Sequence, residues 1–274
     1  MDGTAAEATA SPRLAPLLLR ERVLLLGTLA LAVGLSWAYL AWMAADMAVA
    51  SGAALAHCAA MPGMTSSSAA YLSWLLVMWA VMGVAMMLPT SLPLILLFGR
   101  LWRGRHPALG LGAPTVRLAL GYLAAWLAFG VVAGLMQYGL EHADLVTPVM
   151  GKLRSPVAGA ATLLGAGLFQ LSPLKTACLS RCRSPLMFLM TRWREGRSGP
   201  FLMGLDHGVY CLGCCWALML VMFVAGVMNL TWMAALTVLM TLEKVVRRGD
   251  LLGRVVGAGL AGAGLWLLVA TGIG

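Results

Sequence analysis

Long apolar segments recur along this chain, and they constrain its fold more than any other feature. A bilayer core about 30 Å thick is crossed by about 20 apolar residues in a helix, and the sequence supplies about seven such segments. Only 11% of the residues are charged and the mean hydropathy is +0.88, which excludes an ordinary water-soluble domain. The sequence therefore predicts an all-α, polytopic transmembrane helix bundle. Its spans are predicted over approximately 23–43, 71–99, 116–140, 157–171, 207–228, 232–246 and 255–273.

Lysine and arginine are concentrated in alternate connections between these segments. They follow the second, fourth and sixth segments, whereas residues 44–70 contain none. Basic loops remain in the cytoplasm, so the N-terminus is predicted to be cytoplasmic and the C-terminus outside. The net charge of +9 is assigned to topology and to contact with the lipid bilayer, with no nucleic-acid partner. Residues 1–22 are predicted to form a flexible cytoplasmic tail, and residues 23–274 a single transmembrane domain.

Soft metal ligands are concentrated in the fifth apolar segment. On a helix, His207, Cys211, Cys214 and Cys215 fall at i, i+4, i+7 and i+8, so their side chains lie on or near one face. This spacing predicts a row of metal ligands on a membrane helix. Asp206 precedes the row and is suited to capping the helix or to orienting a metal-bound His207.

A second thiol pair, Cys178 and Cys182, follows the fourth segment at i and i+4 spacing. Consecutive antiparallel spans would bring this pair and the His207 row to the same cytoplasmic depth. Thiols in a reducing cytoplasm do not persist as structural disulfides, so the pattern favours a metal or redox site. We predict that both clusters converge on one site.

Methionine distinguishes between the metals that such a site would bind. Thiolate and thioether ligands together select copper(I), whereas zinc binds cysteine and histidine but not methionine. Met78, Met82 and Met86 repeat at i, i+4 and i+8 in the second segment, and Met219 and Met222 continue the face of the fifth. The alternative is that these methionines only fill gaps in an apolar core. The outer loop adds three further candidate ligands: His57, Met61 and Met64.

Several of these motifs resemble a known family. The sequence is similar to bacterial integral membrane proteins predicted to bind metal, a domain of unknown function also described as copper chaperone. The resemblance extends from the second to the sixth segment, and it implies copper binding in a multi-helix domain of the bacterial inner membrane, with copper delivery to another membrane protein. The motifs that carry it are residues 78–82 with 85–89, 170–185, 206–216, 228–233 and 243–244.

The leading hypothesis is a non-enzymatic copper(I)-binding membrane protein that passes copper to a membrane partner or across the bilayer. A membrane thiol oxidoreductase is an alternative, with Cys211 and Cys214 as its redox pair and the upstream thiols as a shuttle. A haem protein is disfavoured because no two histidines fall at matching depth in adjacent spans. A structural subunit of a membrane complex remains a further alternative.

Overall fold

The computed structural model describes residues 14–53, 69–106, 110 and 112–272. Within those ranges the chain is helical and forms no β-strand, although a single bridge pairs Val146 with Leu153. The predicted all-α fold is therefore confirmed. The helices, in chain order, are α1 (Leu14–Ala53), α2 (Ala69–Arg105), α3 (Gly112–His142), α4 (Pro156–Leu171), α5 (Pro173–Arg183), α6 (Pro185–Arg192), α7 (Gly199–Ala225), α8 (Leu230–Val245) and α9 (Gly249–Ala270).

Five of the helices in the described part of the chain are long and apolar enough to cross a membrane: α1, α2, α3, α7 and α9. Helices α4 and α5 meet at a bend of 62°, and this pair gives a sixth span if it is counted as one. Helix α8 has only 16 residues. Seven spans and a cytoplasmic N-terminus thus stay predictions, while the long apolar helices are consistent with a membrane protein. The predicted tail lies partly outside the described residues, and α1 already begins at Leu14.

The bend between α4 and α5 has a local cause in the sequence. Ser172 ends α4 in an extended conformation, and its hydroxyl accepts a hydrogen bond from the Lys175 backbone N–H at 3.2 Å. Pro173 occupies the first turn of α5, where its missing N–H costs nothing. The chain therefore turns sharply and starts the short helix that carries Cys178 and Cys182.

Helix α2 continues through Pro89 and Pro93. Pro89 has no N–H to bond the Ala85 carbonyl, and the indole N–H of Trp37 on α1 donates to that carbonyl instead, at 3.1 Å. The Thr90 hydroxyl donates to the Met87 carbonyl at 2.9 Å. Side chains thus satisfy the backbone where proline interrupts the helix.

Helices α3 and α7 pack backbone against backbone. A Cβ atom on Gly204 would lie 1.9 Å from the Leu118 carbonyl oxygen, and one on Gly121 would lie 1.9 Å from the Phe201 carbonyl oxygen. Only glycine allows this approach, as small residues do at helix contacts in membranes. The contact fixes Tyr122 of α3 beside Cys211 of α7.

Helix α9 carries four closely spaced glycines, Gly257, Gly259, Gly262 and Gly264, and two of them allow close packing. Cβ atoms on Gly257 and Gly264 would collide with α4, whereas those on Gly259 and Gly262 would meet nothing within 4 Å. Helix α9 therefore packs on α4 along one face only.

Candidate metal site

The thiols of α5 and α7 meet in the core. Cys182 belongs to the same buried cluster as Cys211, Cys214 and Cys215, because the bend after α4 packs α5 against α7. The Cys214 and Cys215 thiols donate to the Cys211 backbone carbonyl at 3.0 and 2.9 Å. These four cysteines are buried, and none is in a disulfide.

Two polar groups from other helices contact the Cys211 sulfur. The Lys244 Nζ of α8 donates to it at 3.0 Å, and the Tyr122 hydroxyl of α3 lies 3.0 Å away. Lys244 also donates to the Thr90 hydroxyl of α2 at 2.9 Å. The ammonium of Lys244 places a positive charge next to this sulfur, where it would stabilise a thiolate. The thiolate is the form of cysteine that binds metal.

His207 is buried one turn before Cys211 on α7. Its ring packs edge-on against Phe188, with centroids 5.0 Å apart, and its Nδ1 has no hydrogen-bond partner among the described residues. His207 also lines a cavity of about 170 Å³, whose wall includes Cys182 and Lys244. The imidazole therefore has a free nitrogen beside the thiols.

Cys178 lies at the edge of this group. It is only half-buried, and a Cβ atom on Gly213 would lie 3.1 Å from its sulfur. The i, i+4 spacing puts both thiols on one face of α5, one turn apart. Cys182 lies in the core, whereas Cys178 lies against Gly213 of α7.

Thioethers and thiols share one buried core. The cluster that contains Cys182, Cys211, Cys214 and Cys215 also contains ten of the 19 methionines. It includes all five predicted on helices, Met78, Met82, Met86, Met219 and Met222, each at most 2% exposed, and adds Met43, Met87, Met228, Met233 and Met240.

Three predicted ligands, His57, Met61 and Met64, lie outside the described residues. Among the residues that the structure describes, no three His, Cys, Asp or Glu side chains are arranged as a metal-binding group. The thiols are turned to partners inside the protein: two bond a backbone carbonyl, and the Cys211 sulfur is contacted by Lys244 and Tyr122. The convergence of cysteines is present, and their role as metal ligands stays a prediction.

Sequence reasoning missed several members of this site. Met233 and Lys244 entered only through the family motifs at 228–233 and 243–244, with no role assigned, and Tyr122 and Met240 were not singled out. The i, i+7 spacing of Met233 and Met240 on α8 was a usable signal. The partnership of Tyr122 with Cys211 depends on the α3–α7 contact, which no local pattern reveals.

A buried polar cluster of Gln170, Lys175 and Glu243 links α4, α5 and α8. Lys175 Nζ donates to Glu243 Oε2 at 2.7 Å and also bonds Gln170 Oε1, and Gln170 Nε2 donates to Glu243 Oε1 at 2.9 Å. Lys175 and Glu243 are each 2% exposed. The two charges therefore pair inside the bundle.

Fold and site together define an all-helical protein, consistent with a membrane location, whose core concentrates thiol and thioether sulfur. The family model described as copper chaperone, PpoB2, matches residues 76–267. The chain belongs to this copper chaperone family, as its motifs predicted. The matched region contains every described thiol and begins after His57, Met61 and Met64, and membership supports a copper-related role. No curated protein and no solved structure matches the chain.

Proposed function

We propose that this protein is an integral membrane copper(I) chaperone that catalyses no reaction. It acquires copper at the thiols of Cys182, Cys211 and Cys214 and delivers it to a membrane protein partner or across the bilayer, in the bacterial inner membrane. The observation that carries the proposal is the meeting of these thiols inside a core that also holds ten methionines.

The chemistry of the donors supports copper(I) as the cargo. Soft sulfur ligands favour this ion over hard cations, and zinc would not use the thioethers. Copper(I) bound by two thiolates carries one negative charge, and the Lys244 ammonium at 3.0 Å from Cys211 would offset it. Such compensation matters because an isolated charge is costly inside an apolar bundle. The free His207 nitrogen offers a third ligand.

The buried methionines suggest how copper would leave the thiols. Met82 and Met86 of α2 belong to the same core as Met219 of α7 and Met240 of α8. Thioethers are neutral ligands, so copper would move from one to the next as a monovalent cation. The thiolates that it leaves would regain the protons released when copper bound, with Lys244 offsetting the remaining charge. We propose that copper passes along this core, with Cys178, Cys215 and Met222 as further candidate ligands.

The proximity of the thiols is also compatible with the alternative function, a membrane thiol oxidoreductase. Cys182 shares a buried cluster with Cys211 and Cys214, and thiols that approach one another can exchange to a disulfide if an oxidant is supplied. Cys211 and Cys214 are at most 1% exposed, however, and a protein substrate cannot reach sulfur buried to that degree. Burial therefore favours cargo binding over disulfide exchange.

The test is copper retention by the full-length protein in detergent, measured with a copper(I) competitor under reducing conditions. Replacing Cys182 and Cys211 by serine should weaken copper retention by more than about 100-fold. Loss of a residue that only orients a metal ligand costs at most about 100-fold in affinity, so a larger effect identifies the ligands themselves. Cys58, the cysteine that precedes the region matched by the family model, supplies the matched control, and Cys58→Ser should retain copper. Equal retention by the double variant and the control would refute the proposal, and loss of two free thiols per chain in air without bound copper would favour the oxidoreductase.

A further inference from the structure

A cavity of about 480 Å³ lies at the junction of α2, α3 and the segment before α7, apart from the thiols. Its wall contains Trp102 from the end of α2, the first residues of α3, and the turn around Gly196. Arg117 and Arg197 complete it on two sides. The copper proposal uses none of these residues.

The cavity has hydrogen-bond donors without acceptors. Within the described part of the chain, neither Arg117 nor Arg197 has a hydrogen bond or an ion pair. The indole N–H of Trp102 also lacks a partner, although this side chain is only 5% exposed. Buried donors are normally satisfied, so the unused Trp102 N–H indicates a ligand that accepts hydrogen bonds. Arg117 is half-buried and Arg197 is exposed, so these two side chains add positive charge that is not paired within the protein.

The carboxylate in the wall does not neutralise these arginines. Glu195 accepts a hydrogen bond from the Trp193 indole, lies 3.1 Å from His106 Nε2 and lies 3.6 Å from Arg105. The Trp193 hydrogen bond chiefly lowers the pKa of the Glu195 carboxyl, and His106 and Arg105 contribute further. Glu195 is thus an anion whose charge is already matched by Arg105, and the cavity remains positive.

The first turn of α3 adds a further anion-binding feature. Gly112, Ala113 and Pro114 begin this helix and line the cavity, and of these Gly112 and Ala113 carry an N–H group whereas Pro114 has none. The first N–H groups of a helix lack partners within it, and the positive end of the helix dipole favours anions. Guanidinium groups bind phosphate through paired hydrogen bonds.

We propose that this cavity binds a phosphate group, carried either by the headgroup of an anionic lipid or by a soluble phosphate ester. Arg117 and Arg197 would bind the phosphate oxygens from two sides, with the α3 N-terminus as the third contact. The cavity volume exceeds that of a phosphate and leaves room for a glycerol moiety. The inference is independent of copper.

The test uses the full-length protein in detergent, titrated separately with a short-chain phosphatidylglycerol and with glycerol 3-phosphate. Native mass spectrometry counts the bound molecules. We expect one saturable phosphate ligand, bound about tenfold more weakly or worse by the Arg117→Gln/Arg197→Gln variant, because two charge-assisted contacts are lost. Arg248→Gln is the matched control on an exposed arginine and should bind normally.

Either ligand supports the proposal if its binding depends on the two arginines. Binding of the lipid alone identifies a headgroup site, and binding of both identifies a site for the phosphate ester itself. Binding no greater than that of an uncharged diacylglycerol, or binding unchanged in the double variant, would overturn it. If the double variant fails to fold, Arg197→Gln in the exposed segment replaces it in the same comparison.

Discussion

At the scale of single residues, the methionines of α2 can be tested for two roles: filling the apolar core, or carrying copper. Met82 and Met86 are at most 2% exposed and belong to the core that holds the thiols. Replacing both by leucine nearly conserves volume and should cost only about 1 kcal/mol of stability. Leucine has no lone pair, so we expect copper transfer to an acceptor to slow about tenfold, a barrier increase near 1.4 kcal/mol.

Stopped-flow transfer from the loaded protein to a chromogenic copper(I) chelator measures this rate. Met187 and Met190 on α6 provide the control, because they are 64% and 59% exposed and lie outside that core. Their replacement by leucine should leave the rate unchanged. Equal copper-transfer rates in the two double variants would show that Met82 and Met86 only pack the core.

At the scale of elements, the end of α8 organises the site. Glu243 pairs with Lys175 of α5, and the next residue, Lys244, contacts Cys211 of α7. One helix end thereby fixes the helix that carries Cys182 against the helix that carries Cys211. We infer that the buried Lys175–Glu243 pair holds Cys182 and Cys211 in position relative to each other.

Breaking this pair should destabilise the bundle. Lys175→Met leaves the Glu243 carboxylate buried without a cation, which we expect to cost about 3–5 kcal/mol of unfolding free energy. Adding Glu243→Gln removes the uncompensated charge and should recover part of the loss. Chemical unfolding of the full-length protein in one detergent measures both changes.

The surface pair of Arg154 with Asp144, 3.1 Å apart, supplies the comparison. Arg154→Met should cost at most about 1 kcal/mol, since exposed ion pairs contribute little. If Lys175→Met proved no more costly than Arg154→Met, the buried pair would have no special part in positioning α5.

The helices were easier to predict from the sequence than the contacts between them. Apolar length placed helices near every predicted span, and Ser172-Pro173 marked the end of α4. The sequence did not show that α5 leaves α4 at 62° and reaches α7, because that angle depends on packing in three dimensions. Nor did the sequence show that Trp37 of α1 satisfies the carbonyl freed by Pro89, because the two residues lie on different helices.

For the whole molecule, periodicity predicted which thiols share a helix face, and the order of spans predicted that Cys182 would approach Cys211. Periodicity could not predict Lys244 or Tyr122 beside that sulfur, because their contact requires α3 and α8 to flank α7. Charge patterning pointed away from Lys244, since basic residues at span ends usually face water and lipid headgroups. The site is therefore a property of helix arrangement as much as of motif.

The most direct test of the central claim is copper K-edge X-ray absorption on the full-length protein loaded with one equivalent of copper(I). The account predicts a sulfur shell of two or three atoms near 2.3 Å, the usual metal–thiolate distance. It also predicts that this shell is lost or rearranged in the Cys182→Ser/Cys211→Ser variant. A first shell of only nitrogen and oxygen, or an identical sulfur shell in the variant, would contradict copper binding at the meeting of α5 and α7.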